Sequence, residues 1–182
     1  MRGKRQRRRR SAFTLLEILT VAVVIAILAL LLIPAISSMR ARAQRVECMA
    51  NLRSLYVAAE SYLQQNGSWP QIAATDSEED DASAWIAAFS PFGVTQKNWI
   101  CPTIQNALGN PDLSDTTNVR TDYIPMHFDS KPLTPHLWPG APWFIEVGNM
   151  HETGNLIIFS DGSIKGSLEL PTAPSPFPTA AP

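Results

Sequence analysis

Few residues in this sequence have the types and spacing for chemistry. Glu17 stands at the edge of a run of 22 uncharged residues, Ile18–Met39. A carboxylate there either rests at an interface, favoured by the positive end of a helix dipole, or neutralises a cation where an unpaired charge is costly. Cys48 and Cys101 are the only two cysteines. They can form one disulfide, remain buried thiols or do redox chemistry, and the lack of a C-x-x-C pattern disfavours the last. Asp76, Glu78, Glu79, Asp80 and Asp81 place five carboxylates within six residues. Crowded oxygens suit Ca²⁺, but the alternate-ligand spacing of a calcium loop is missing, so a solvated acidic loop is the better reading. His151, Glu152 and Asp161 offer ligands or an acid–base pair. Asp161, however, is required by a turn, and a histidine beside a turn ordinarily caps or bonds loop backbone. His127 and His136 add no ligand spacing. No metal site, cofactor or catalytic set is expected, and no nucleophile elbow or P-loop is present.

The elements that position these groups begin with the first forty residues. Residues 1–12 hold Arg2, Lys4, Arg5, Arg7, Arg8, Arg9 and Arg10, seven of the 15 basic residues. Without them, eight basic residues face 16 acidic ones, a net charge of −8 hidden under the formal −1 of the whole chain. An acidic body makes a poor nucleic-acid binder, because phosphates need a basic face. The uncharged run exceeds the roughly 20 residues that cross a bilayer core and is long for a cleavable signal. Its N-terminal flank carries more positive charge than Arg40, Arg42 and Arg45 behind it. The positive-inside rule puts the N-terminus in the cytoplasm and the body outside it, anchored by a single membrane pass.

Beyond the membrane run, Met49, Leu52, Tyr56, Ala59 and Leu63 recur at spacings of 3, 4, 3 and 4, an amphipathic helical stripe. Neither Pro nor Gly falls between Pro34 and Gly67. One helix from about Phe13 to Gln65 is expected, with a separate anchor helix as the alternative. Pro34 removes one helix hydrogen bond and is a candidate kink. Gly67 is a candidate C-cap, and Pro70 prevents a restart. A short helix is expected over Ala82–Phe89. Residues 120–150 are rich in Pro and aromatics and suggest irregular loops and short edge strands, a suitable place for partner binding. Two β-prone runs flank Asp161-Gly162, a strong hairpin signal. The last twelve residues, Pro171–Pro182, hold five prolines and suit an extended end. Outside the cytoplasm the two cysteines tend to oxidise. A Cys48–Cys101 bond would close a 54-residue loop and contribute about 3–4 kcal/mol on a chain-entropy estimate.

The string Ala12-Phe13-Thr14-Leu15-Leu16-Glu17 between a basic leader and an apolar run resembles the N-terminal signal of type IV prepilins and type II secretion pseudopilins. The likeness continues in Cys48, Asn51, Leu52 and Leu55 (C-x-x-N-L-x-x-L), and in Tyr62, Asn66, Gly67, Trp69 and Pro70 (Y-x-x-x-N-G-x-W-P). It extends to Cys101-Pro102 and to His151, Gly154, Asn155, Phe159, Asp161 and Gly162 (H-x-x-G-N-x-x-x-F-x-D-G). The residue before the cut is Ala12 where that family usually has Gly, a change shared with a branch reading A-F-T-L-x-E. The resemblance implies cleavage between Ala12 and Phe13 by a membrane-bound prepilin peptidase, N-methylation of Phe13, and a role for Glu17 in subunit assembly. It implies other pilin or pseudopilin subunits and a secretion or pilus assembly platform as partners, and a pilin helix in which Pro34 is a familiar feature. Some pseudopilins carry calcium.

The expected architecture is α+β and pilin-like. It comprises a leader (1–12), the transmembrane part of a long helix (13–39), its amphipathic part (40–66), a periplasmic body on a small antiparallel sheet (67–170) and a Pro-rich tail (171–182). The leading function is a structural filament subunit, with the Pro-rich insertions favouring a minor component. One alternative is a membrane-anchored periplasmic binding or enzymatic domain, which leaves Glu17 unexplained. Another is a secreted protein cut after Ala41-Arg42-Ala43 or exported through Arg9-Arg10.

Overall fold

Twenty-two uncharged residues followed by an amphipathic stripe give one helix, α1 (Leu15–Asn66). The structure, a computed structural model, describes residues 14–73, 78–109, 119–137, 140–148 and 150–170. The leader, Ala12, Phe13, Asp76 and the Pro-rich tail lie outside the described residues. Thr14 precedes α1, and its Oγ1 accepts the Glu17 N–H at 3.3 Å, which satisfies one of the orphan donors of the first turn. Gly67 ends it with φ of 74°, and its N–H donates to the Leu63 carbonyl at 2.8 Å. That left-handed conformation is inexpensive for glycine and terminates helices. The helix is continuous through Pro34, so the two-helix alternative is not what the chain adopts.

The chain divides into two compact units between Arg40 and Ala41. In the first, the large apolar side chains from Leu15 to Ile33 are exposed, from Val23 at 51% to Leu15 at 86%. In the second, α1 buries Cys48, Leu52, Leu55, Ala58, Ala59 and Leu63. The buried face is therefore rotated from the expected stripe: Met49 and Tyr56 are its half-buried shoulders, and Leu55 is a core residue in its own right. Fully buried Leu side chains each contribute about 1.5–3 kcal/mol.

Four short strands form an antiparallel meander in the order β1-β2-β3-β4: β1 (Tyr123–Pro125), β2 (Pro142–Glu146), β3 (Leu156–Phe159) and β4 (Ile164–Gly166). Trp69, just past the end of α1, is fully buried and meets the rings of Trp85, Phe89, Phe128, Trp143 and Phe144 with centroids 5.1–6.3 Å apart. Tilted and edge-on pairs of this kind add to the area they bury.

Three local expectations are revised. Helix α2 (Glu78–Phe89) starts four residues earlier than Ala82, taking Glu78, Glu79, Asp80 and Asp81 out of the expected loop and into its first turn. Within the Pro- and aromatic-rich segment, β1 is an edge strand, but β2 is central, paired with both β1 and β3. Pro142 is tolerated because it is the first residue of β2, ahead of a register shift between Pro142 and Phe144. A short helix α4 (Thr134–Leu137) also interrupts the expected loops. Helix α3 (Pro102–Leu108) opens on Pro102, directly after Cys101, where a missing N–H does no harm.

The Asp161-Gly162 turn joins β3 to β4. Gly162 N–H donates to Phe159 O at 2.8 Å and Phe159 N–H to Ser163 O at 3.0 Å. Gly162 has φ of 75°, and no non-glycine residue among those described has positive φ. This is a three-residue loop closed by a left-handed glycine, which matches the right-handed twist of the strands. Asp161 Oδ1 accepts the Ser163 N–H at 2.9 Å. The Ser163 side chain and backbone together hold the Asp161 carboxyl below its usual range.

Candidate functional site

Two sets of residues merit a functional reading. The first is the start of α1. Glu17 lies in its first turn, with its N–H bonded to Thr14 and its carbonyl accepting the Thr20 hydroxyl at 2.9 Å. Its side chain is exposed, as are the apolar residues that follow it. The most apolar stretch of α1 has a mean hydropathy of 3.0, is fully unburied and is long enough to cross a membrane. An exposed carboxylate on the first turn of an apolar helix can be neutralised only by a partner or by the interface. Ala12 and Phe13 fall just before the described residues.

The second set ties α1 to the body. Cys48 on α1 is joined to Cys101 by a disulfide with Cα atoms 5.3 Å apart. One turn further along, Asn51 Nδ2 donates to the Ile100 carbonyl at 3.0 Å. Residues three apart on a helix share a face, so the C-x-x-N spacing brings a covalent and a hydrogen-bonded tie to the same short segment. That segment is held from the other side by Asp122, which is buried: its Oδ2 accepts the Cys101 N–H at 2.8 Å. Arg120 pairs with both Asp122 oxygens, at 2.8 and 2.9 Å. Tyr123 O–H donates to the Cys48 carbonyl at 3.4 Å. Its burial, with the Glu146 carboxylate nearby, pushes the phenol pKa well up.

Against the disulfide lies a buried pair that the sequence did not reveal. Glu146, the last residue of β2, is 0% exposed; its Oε1 meets His151 Nε2 at 3.1 Å and its Oε2 accepts the Leu156 N–H at 3.1 Å. His151 Nε2 is also 4.0 Å from Cys101 Sγ. Among the described residues, then, the His151 ring meets Glu146 and lies near the Cys101 sulfur rather than joining Asp161. Nothing in the spacing of Glu146 and His151 marks them. The one signal was a glutamate closing an aromatic strand-like run, Trp143-Phe144-Ile145-Glu146, where a buried charge needs a partner. Gly154 completes the loop with φ of 81°, and a Cβ there would collide with Ser167 Oγ and press on Leu168.

Tyr56 docks the hairpin tip on α1. Its hydroxyl lies 3.0 Å from Glu60 Oε1 and 3.1 Å from the Ser160 carbonyl, and its ring stacks on Trp143 at 4.9 Å. Gly162 offers a Cβ position 3.5 Å from the Tyr56 ring. Burial and the Glu60 carboxylate push the Tyr56 phenol up to about 12.

Residues 7–33 match the family model described as the prokaryotic N-terminal methylation motif. No curated protein and no solved structure matches the chain. The motif covers the segment in which Glu17 and the start of the exposed apolar run lie, and it indicates a type IV pilin- or pseudopilin-like precursor. A prepilin-type methylation motif at residues 7–33, a long helix from Leu15 and a small four-stranded antiparallel sheet together make this chain pilin-like in signal and in fold.

Proposed function

We propose that this chain is a filament subunit, cut by prepilin peptidase between Ala12 and Phe13 and methylated on Phe13. It then assembles with other pilin or pseudopilin subunits on a secretion or pilus assembly platform. The filament is a type II secretion pseudopilus or a type IV pilus, and the subunit is a minor component. Before assembly it waits in the inner membrane, N-terminus cytoplasmic and body periplasmic. What carries the reading is the methylation motif that spans the start of an exposed apolar helix with Glu17 in its first turn. Cleavage creates an ammonium at Phe13. Glu17 of a neighbouring subunit neutralises it where an unpaired charge is costly, and so sets the register of addition. The Pro34 position gives the apolar half of α1 a place to yield as subunits pack.

The test is the intact mass and N-terminal residue of the protein purified from membranes with prepilin peptidase present. A chain beginning at N-methyl-Phe13 is the expected result. A chain still beginning at Met1 with an active peptidase would make the segment an ordinary anchor, and a start after Ala43 would make the protein a secreted one.

A further inference from the structure

Cys48, Cys101, Glu146 and His151 are all buried, and one ligand atom from each lies within 4.8 Å of every other. Two thiolates, an imidazole and a carboxylate are a donor set suited to Zn²⁺. Zinc bonds of about 2.0–2.3 Å at a tetrahedral centre set ligand atoms about 3.3–3.8 Å apart. The Glu146–His151 distance of 3.1 Å and the Cys101–His151 distance of 4.0 Å already bracket that spacing. The four ligand atoms all lie within 4.8 Å of one another, and the two sulfurs are bonded to each other. Opening that bond, with small shifts of the ligands toward a common centre, would turn all four atoms to one ion.

We propose that the dithiol form of this protein binds one Zn²⁺ through Cys48 Sγ, Cys101 Sγ, Glu146 Oε1 and His151 Nε2, so that the same two cysteines tie α1 to the body by a disulfide when oxidised and by zinc when reduced. The balance is simple. The newly made chain carries both cysteines as thiols, and Zn²⁺ displaces their two protons. A dithiol reductant reaches the same state from the disulfide: it delivers two electrons and two protons and is itself oxidised to a disulfide. A disulfide oxidant reverses this: it takes the two electrons from the thiolates and two protons from solvent, is itself reduced to a dithiol, and leaves the sulfur–sulfur bond re-formed and Zn²⁺ released. Two thiolates, one carboxylate and a neutral imidazole leave the zinc complex with one net negative charge.

The surroundings suit such a site. Glu146 Oε2 is held by the Leu156 N–H, and the Thr103 hydroxyl lies 3.9 Å from Cys48 Sγ. Such outer contacts orient ligands. The ligands come from α1, the start of α3, β2 and the loop after it, four places fixed by the fold rather than by one flexible segment. His151, 9% exposed, is the member nearest solvent and the way in. This inference does not rest on the filament reading.

The experiment uses the full chain in detergent, reduced anaerobically and freed of reductant, then titrated with Co²⁺ as a spectroscopic probe and back-titrated with Zn²⁺. One Co²⁺ per reduced chain is expected, with thiolate-to-cobalt charge-transfer absorption that Zn²⁺ abolishes and with none in the oxidised chain. His151→Gln and Glu146→Gln should each weaken binding about tenfold or more. Because Glu146→Gln could disturb the fold, His151→Gln, with far-ultraviolet circular dichroism as the control, carries the decision. Three results would overturn the proposal: no charge-transfer band in a folded reduced chain, a band that His151→Gln leaves unchanged, or a reduced chain that unfolds and is not refolded by Zn²⁺.

Discussion

Helix α1 presents two surfaces under one set of backbone rules. From Leu15 to Ile33 its large apolar side chains are at least half exposed, whereas from Cys48 to Leu63 its apolar face is buried against the body. The first stretch is apolar all round, the second on one face only. A helix that is apolar on every side must be covered by lipid or other chains, while an amphipathic one can be satisfied by its own fold. The contrast teaches which apolar surface the body's own fold covers and which it leaves for lipid or other chains to cover. Substitutions in the two stretches should therefore fail in different assays.

The sharpest break of that contrast is Glu17→Ala. An unpaired charge in the membrane costs about 2.5–3.5 kcal/mol. Removing the carboxylate should lower incorporation into filaments about a hundredfold while leaving the subunit in the membrane and the thermal transition of the body unchanged. Quantifying subunit in sheared filaments against subunit in membranes checks this. Normal filaments with Glu17→Ala would remove assembly from the Glu17 account.

The second test sets one leucine from each surface side by side. Leu52 is 0% exposed and Leu28 is 55% exposed. Leu52→Ala should destabilise the body by about 2–5 kcal/mol, the cost of lost transfer energy plus a cavity. Leu28→Ala should leave denaturant unfolding of the body within about 0.5 kcal/mol of wild type. Equal losses from both would mean that the two stretches are not distinct in what covers them.

How far this was legible in the sequence follows the same division. The exposed stretch was legible because a run of uncharged residues needs no tertiary information, and its N-terminal motif is local. The buried face was placed only approximately. A 3.6-residue period fixes that there is a face, but whether Leu55 or Met49 sits at its centre depends on what packs there. The hairpin was legible because Asp161-Gly162 does its work within five residues. The rest of the sheet was not: a segment crowded with Pro and Trp carries no period of two, and Pro142 can begin a central strand only because the register shifts after it. Cys48 and Cys101 were visible as a pair because no other cysteine competes. The pairing of Glu146 was not legible for the converse reason, since its partner His151 is defined by the fold and not by spacing.

Gly154→Ala probes the body alone. Gly154 has φ of 81°, and its position leaves no room for a Cβ beside Ser167 and Leu168. Backbone strain there should cost about 1–3 kcal/mol, read as a lower denaturation midpoint, with membrane retention and processing at Ala12-Phe13 unaffected. Gly93→Ala is the control, since its φ of 88° is similar but nothing lies within 4 Å of the added Cβ. A loss from Gly93→Ala as large as that from Gly154→Ala would leave only the dihedral angle, and not the close approach of Ser167, as the cause.

The smallest expected effect lies where α1 meets the hairpin tip. Tyr56→Phe removes a hydroxyl set between the Glu60 carboxylate and the Ser160 carbonyl and should cost about 0.5–1.5 kcal/mol at neutral pH. The phenol in the folded chain titrates at about 12, against about 10 when unfolded. The unfolded chain therefore loses its proton first as pH rises, and stability falls between those two values. The contribution of the neutral phenol is complete below pH about 10 and gone above about 12. Tyr123 titrates upward in the same sense, so wild type and variant both lose stability in alkali. The informative quantity is the difference between them, which should shrink between pH 10 and 12. Chemical denaturation of the two proteins across that window measures it. A difference that stays constant would mean that the Tyr56 hydroxyl is already ionised or unbonded in the folded chain, and that the hairpin is held on α1 by the ring stack with Trp143 alone.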